Sequence, residues 1–387
     1  LVGVALLDGI LDPDRLLSAK ARTTVRSKAD GVSEVCQAQI GDEYRRTLAD
    51  AVFLMNSYRS LLDAQEADLS RATTSSARAR AGQEVLLAAE TGFRDQFSGL
   101  RRALNQQSSD IPKGLRESYQ NYTKALIHPA VLCAPAAYHC YKKPLGYPGD
   151  FMLMSYLYSE KARGDSLYAK LIHQVVVREE PLAHAVRQRK EFLLSRIRHA
   201  VLTDRERPDM PRILSLGCGP AQEIRELLLS SESSHVTITL IDQDRRCLEH
   251  VDHALSVDGV PPHVLSSIQY LHLGLRQLLL RREFVDAVPP QDLIYSAGVF
   301  DYLGSRLAQR LAHWLYQRLR PGGQLVIGNV RRTKGVSWSL DYWMDWPLIY
   351  RSKEEMLAIA GLIADDCERE VAIDASGYTY MLVIRKP

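Results

Sequence analysis

Two stretches of this chain hold residues whose types and spacing could do chemistry. In the first, the apolar run Ile213-Leu214-Ser215-Leu216 leads straight into Gly217-Cys218-Gly219-Pro220-Ala221. Glycine lets a backbone turn tightly and lets a ligand approach with no Cβ in the way. The next apolar run ends in Leu240-Ile241-Asp242-Gln243-Asp244. A carboxylate at that point can accept hydrogen bonds from both hydroxyls of a ribose. Asp242 is the candidate, and Asp244 reads as the cap of the following helix. The second stretch is aromatic. All four tryptophans lie between Trp314 and Trp346, and Trp338, Tyr342, Trp343 and Trp346 fall within one short segment. Ring faces of this kind attract cations, and Tyr147, in the loop Lys143-Pro144-Leu145-Gly146-Tyr147-Pro148-Gly149-Asp150, could join them. Trp314 reads as core. Asn329 ends a further apolar run and could bind a carboxylate or an amine, or cap the next turn. Cys36, Cys133, Cys140, Cys218, Cys247 and Cys367 form no CxxC pair. Cys133 and Cys140, near His139, read as packed reduced thiols and not as a metal site, so no metal is expected and the setting is cytoplasmic.

The elements that must position these residues follow from punctuation and periodicity. No proline falls between Pro13 and Pro112, and the stretch between them is rich in good helix formers. Leu54, Tyr58, Leu61, Leu62 and Leu69 share a helical face, as do Val85, Ala89 and Phe93, with a break or cap at Thr73-Thr74-Ser75-Ser76. This extension could dimerise or could cap the rest of the chain. Residues 113–200 stay helical around the Gly146–Asp150 loop, an ordered irregular segment of the kind that often carries function. From Pro211 the pattern changes to short β-rich runs alternating with helices. The strands fall at 212–216, 236–241, 268–273, 292–296, 324–327, 367–373 and 378–384, and the last two are joined like a hairpin at Ser376-Gly377. The reading is an α/β fold: a seven-stranded, doubly wound Rossmann-like sheet with an antiparallel last strand, plus an all-α N-terminal domain or cap. The expected divisions are 1–112, 113–200 and 201–387.

Composition narrows the class. The chain has 387 residues, 46% hydrophobic and 25% charged, which excludes a disordered or collagenous chain. A net charge of +3 is too balanced to argue for nucleic acid or a membrane surface. The start, LVGVALLDGILDPDRLL, carries Asp8, Asp12 and Asp14 and lacks a basic leading region, so it is not expected to be a signal peptide.

The glycine motif Ile213–Ala221, the acid Asp242, the fourth-strand segment Asp292–Asp301 and Leu319-Arg320-Pro321-Gly322-Gly323 before strand five together resemble the class I S-adenosylmethionine (SAM)-dependent methyltransferases over roughly residues 200–387. A nicotinamide dehydrogenase would want G-x-G-x-x-G, whereas position 222 is Gln here. The resemblance departs from the usual pattern at Ala221, which stands for a third glycine, and at Ser215, which stands for an acid. Gly146–Asp150, Ala185-Val186-Arg187-Gln188-Arg189, Gly298–Leu303, Ile327-Gly328-Asn329 and Trp346–Arg351 are further similar to synthases of 3-hydroxy fatty acid methyl esters.

That resemblance implies SAM as cofactor and a small-molecule or fatty carboxylate or hydroxyl as acceptor. It also implies a bacterial enzyme, in secondary metabolism. Gly217, Cys218, Gly219, Asp242 and Ser296 would hold SAM, with Asp150 replacing the missing acid at the ammonium. Arg187 would serve the SAM carboxylate, and Arg189 is the alternative two residues on. Tyr147 and Asn329 would sit at the reacting centre, and Phe300, Trp338, Tyr342 and Trp346 would line the acceptor. An ionised carboxylate needs no general base, only alignment and loss of water. The competing reaction on the same fold is ring closure of SAM by its own amine, giving a cyclic amino acid such as azetidine-2-carboxylate and releasing methylthioadenosine. A non-catalytic SAM-binding module is a third reading. Small-molecule substrates, no nucleic acid, no membrane and a candidate homodimer through the N-terminal helices complete the expectation.

Overall fold

The computed structural model describes residues 40–71, 74–203, 209–230, 236–280, 288–333 and 337–387. The expectation for the start of the chain, Cys36 and Thr73 lie outside them.

Among the described residues, seven α-helices precede the sheet: α1 (Asp42–Leu69), α2 (Ser75–Ser109), α3 (Arg116–Val131), α4 (Pro135–Lys142), α5 (Phe151–Ser159), α6 (Leu167–Gln174) and α7 (Pro181–Thr203). Three of them start at side chains that accept otherwise unpaired amides. Thr74 accepts from Ala77, Asp150 from Met152 and Leu153, and Ser166 from Ala169. The face shared by Leu54, Tyr58, Leu62 and Leu69 packs inward, while Leu61 lies one step round the helix and is exposed. The helices before and after residue 113 share one apolar core. That core also takes Trp338, Leu340, Tyr342, Trp343, Met344 and Trp346 from far along the chain. Among the described residues no helix is long and apolar enough to cross a membrane.

The α/β part runs β1 (Arg212–Leu216), α8 (Gln222–Leu228), β2 (Thr237–Asp242), α9 (Arg245–Val257), α10 (Pro262–Leu265), β3 (Ile268–His272), α11 (Leu275–Leu280), β4 (Gln291–Ser296), α12 (Ser305–Gln317), β5 (Leu319–Val330), α13 (Lys353–Ala358), β6 (Glu368–Ile373) and β7 (Thr379–Arg385). The strands form one sheet in the order β3-β2-β1-β4-β5-β7-β6. The first five are parallel, and β7 is antiparallel to both β5 and β6. This is the expected seven-stranded doubly wound sheet. Strand β5 starts earlier than its apolar run, because Leu319 already pairs with Gln291 before a register shift at the Pro321-Gly322-Gly323 turn. Alternation on β1 sends Ile213 and Ser215 toward α7 and α8, and Leu214 and Leu216 toward α11, α12 and α13. The strand order reverses between β1 and β4, and ligands in such sheets bind at the carboxyl ends of the strands beside that reversal.

Candidate functional site

The turn after β1 is built for close approach. Gly217, Gly219 and Ala221 all have positive φ, at 63°, 54° and 47°. Gly217 and Cys218 donate backbone N–H bonds to the Ile241 carbonyl, which fastens the turn to the end of β2. A Cβ on Gly217 would run into Val299, beyond β4, whereas a Cβ on Gly219 would meet nothing within 4 Å. The open space above Gly219 is where a ligand can lie on bare backbone.

Asp242 closes the other side of that space. One carboxylate oxygen accepts from the Gly219 amide at 3.1 Å, and the other accepts from the Asp244 amide at 2.9 Å. Burial raises its pKa, opposed by those two amides. Asp244 caps α9 through the Arg246 amide and also pairs with the Arg246 guanidinium. Burial opposes ionisation of Asp244, but its bonds to Arg246 outweigh that and hold its pKa below the usual range.

A cleft of about 370 Å³ opens beyond Asp242, lined by Leu145, Tyr147, Gln243, Asp244, Arg246 and His272. Small-molecule sites occupy roughly 300–1,000 Å³. The loop before α5 forms its far wall. Tyr147 donates to Asp244 at 3.3 Å, and the Leu145 carbonyl accepts from Arg246 at 3.1 Å. Burial, then the Asp242 and Asp244 charges, push the Tyr147 phenol well above its ordinary value. It therefore stays protonated and is no base at neutral pH.

Two thiols flank the glycine turn. Cys247, on α9 and without a sequence motif to mark it, approaches the Gly219 carbonyl at 2.9 Å. Cys218, Asp242 and Cys247 place one donor atom each within 4.8 Å of one another. Its hydrogen bond with Cys218, then burial, push the Cys247 thiol up, so it packs as a neutral donor.

Several sequence candidates stand elsewhere. Asp150 is buried, with Nε2 of His139 at 2.7–2.8 Å from both carboxylate oxygens. One of those oxygens also accepts the Met152 and Leu153 amides. It caps a helix and is paired with His139 inside the helical cap. Arg187 donates to the Leu157 and Val177 carbonyls and pairs with Glu160, joining cap helices away from the glycine turn. Ser296 donates to the Leu216 carbonyl at 3.0 Å and staples β4 to β1. Asn329 is fully buried, donating to the Val330 and Ile349 carbonyls and accepting from Arg351. Phe300 is core beneath the sheet. Trp338 donates its indole N–H to Tyr44 at 2.9 Å, and Tyr342 donates to the Ser108 carbonyl, so both complete the helical core and do not wall a ligand. Trp346 alone of that cluster reaches the cap loop. Its indole donates to the Tyr302 hydroxyl at 2.7 Å, and both side chains abut Gly149.

The carboxyl end of β4 carries a buried polar hub, of which sequence reading singled out Arg189 but not its neighbours Asp301 and Arg351. Asp301 accepts from the Val330 amide at 2.6 Å and pairs with Arg189 at 3.3 Å. Burial pushes its carboxyl up to about 6, against the pull of Arg189. Arg351, buried with it, donates to the carbonyls of Phe300 and Leu303.

No family model and no curated protein matches this chain. Solved structures do. A possible exported protein from Bordetella parapertussis is similar at 15% identity and a TM-score of 0.50, covering 82% of this chain and 100% of that one. The N-methyltransferase NodS from Bradyrhizobium japonicum, in complex with S-adenosyl-L-homocysteine, gives 17% identity, a TM-score of 0.37, and covers 60% of this chain and 98% of that one. Magnesium protoporphyrin IX methyltransferase from Synechocystis, with bound SAM, gives 10% identity, a TM-score of 0.37, and covers 52% and 82%. The first of these shows a shared architecture across most of the chain.

Proposed function

We propose that the chain is a SAM-dependent methyltransferase acting on a small-molecule or fatty carboxylate or hydroxyl acceptor. The observation that carries this reading is the pairing of open backbone at Gly219 with the Asp242 carboxylate, at the point where strand order reverses. The fit to the cofactor is chemical: a glycine cradle that a Cβ would fill, an acid for two ribose hydroxyls, and a cleft beside it for the base. When bound, SAM supplies a methyl carbon made electrophilic by its sulfonium. The chain's own groups bind and orient it. Gly217 and Gly219 admit it, Asp242 accepts from the ribose, and the Tyr147 ring covers the cleft.

A carboxylate acceptor needs no general base, and neither Tyr147 nor Asp301 is placed to act as one. Tyr147 holds its proton, and Asp301 is engaged by Arg189 and Val330. A carboxylic acid is already ionised at neutral pH, so the protein need only align it and exclude water. Hydroxy fatty acids are the acceptors to try first, on the motif resemblance at Gly146–Asp150 and Gly298–Leu303. Ring closure of SAM is the second reading. It draws support from the close packing of Trp346 and Tyr302 on Gly149, which seals the cap to the β4 end. Exposed Phe53, Leu61 and Leu87 support a homodimer through α1 and α2, which light scattering tests directly.

The deciding experiment is mass spectrometry of nucleoside products. With SAM alone, methylthioadenosine formed with turnover would sink methyl transfer. S-adenosylhomocysteine appearing only when a hydroxy fatty acid or other carboxylate is added is the expected result.

A further inference from the structure

SAM carries a zwitterionic α-amino-carboxylate end that a site must pair, and Ser215, two residues before the glycine turn, offers no charge for it. Ser215 is buried on β1 and pairs in register with Tyr295 on β4. The Tyr295 hydroxyl donates to Glu223 at 2.8 Å. Glu223 lies on α8, directly after the glycine turn, and is 4% exposed. Among the described residues it has no ion-pair partner. Burial raises its pKa, opposed by its own backbone amide and by Tyr295. Lys190 lies within electrostatic reach of Glu223 but is in contact with Glu226 and Glu191 instead, so Glu223 is a buried carboxylate with no cation in contact, one helical step from the glycine turn.

The complementary group stands nearby on α7. The Arg189 guanidinium rests on the backbone of Gly298 at the carboxyl end of β4, so that a Cβ there would lie 3.0 Å from one of its nitrogens. Its side chain is 8% exposed. One terminal nitrogen reaches Asp301, while Nε has no partner among the described residues. Tyr158 lies within electrostatic reach of both Glu223 and Arg189. The neighbouring Lys190 is already held by Glu226 and Glu191.

We propose that Arg189 and Glu223 form a zwitterion subsite for the α-amino-carboxylate end of the cofactor: Arg189 takes the carboxylate, and Glu223, steadied by Tyr295, takes the ammonium. This rests on the SAM reading above and deepens it. It replaces Arg187 and Asp150 in those two roles, because their polar atoms are already engaged within the cap.

Calorimetry on the full chain tests the subsite with two probes. S-adenosylhomocysteine carries the amino-acid end, and methylthioadenosine lacks it. Wild type should bind the first well and the second more weakly. E223Q, which keeps volume and the Tyr295 contact, should weaken S-adenosylhomocysteine about ten- to a hundredfold and leave methylthioadenosine within about twofold. R189K, which keeps the charge opposite Asp301 but loses the planar fork, should show the same pattern. Decarboxylated SAM adds a third arm: E223Q should weaken it and R189K should not. Equal losses for both nucleosides in folded variants, or none for either, would overturn the subsite. Wild type that binds neither nucleoside would instead overturn the SAM reading.

Discussion

Asp242 and Asp301 are both buried acids near the reversal of strand order, but they differ in what they hold. Asp242 accepts two amides from the turns on either side of the open space. Its exchange for Asn removes the charge a ribose hydroxyl would donate to. D242N should weaken S-adenosylhomocysteine by about ten- to a hundredfold in calorimetry, with a change in Tm of only a few degrees. Asp301 gives a pH signature. Its folded pKa near 6 lies above the roughly 3.9 of an unfolded aspartate. The stability that comes with the protonated group is fully present below about pH 4 and is lost as pH rises through about 6. D301N has no such titration. The stability of D301N relative to wild type should therefore climb between about pH 4 and 6 and level off above, in urea melts at stepped pH. A difference constant across that window would refute the raised pKa. The arginines show why residue roles resist sequence reading. Arg187 and Arg189 are two apart on one helix, and residues at that spacing point to different sides. One meets carbonyls of the cap and the other meets the end of β4, and only the packing of α7 distinguishes them.

At the scale of elements, the glycine turn makes two separable predictions. G217A would force a Cβ into Val299 at positive φ and should lower Tm markedly. G219A meets no atom within 4 Å, so its stability cost is limited to about 1–2 kcal/mol of left-handed strain. Its Cβ nevertheless fills the ligand's space, and binding should fall far more than stability. Thermal melts and calorimetry on the two variants separate these effects, and a G219A that binds normally would count against the cradle. The sheet itself was legible because each strand is a short apolar run bounded by Gly, Pro or charged turns, and the observed strands start within a residue or so of the expected ones, apart from β5. The aromatic segment was not legible. Trp338 and Tyr342 have partners, Tyr44 and Ser108, that lie more than two hundred positions away. A ring-rich stretch reads the same whether it walls a ligand or plugs a core. Glu223 was hidden for a similar reason: an acid in a first helical turn is commonplace, and only its pairing with Tyr295 distinguishes it.

In the molecule as a whole, the helical layer and the sheet share material. Trp338 is fully buried among α1, α2 and their neighbours, with its backbone N–H on Asn105 and its indole on Tyr44. Replacing it with Ala should cost about 3–5 kcal/mol through the cavity left behind. It should also lower the unfolding of both layers together, read as one calorimetric transition moving as a unit. Two transitions, of which only one shifts, would show that the layers unfold independently.

The same residue orders events during synthesis. Tyr44 and Trp338 are separated by 294 positions. A ribosome adding about 5–20 residues per second needs roughly 15–60 s to pass from one to the other. Through that interval the first helices emerge with their central slot unfilled and apolar, while most of the sheet is still being made. Truncations ending before Trp338 leave that slot open and should sediment as aggregate where the full chain stays in the supernatant of matched lysates.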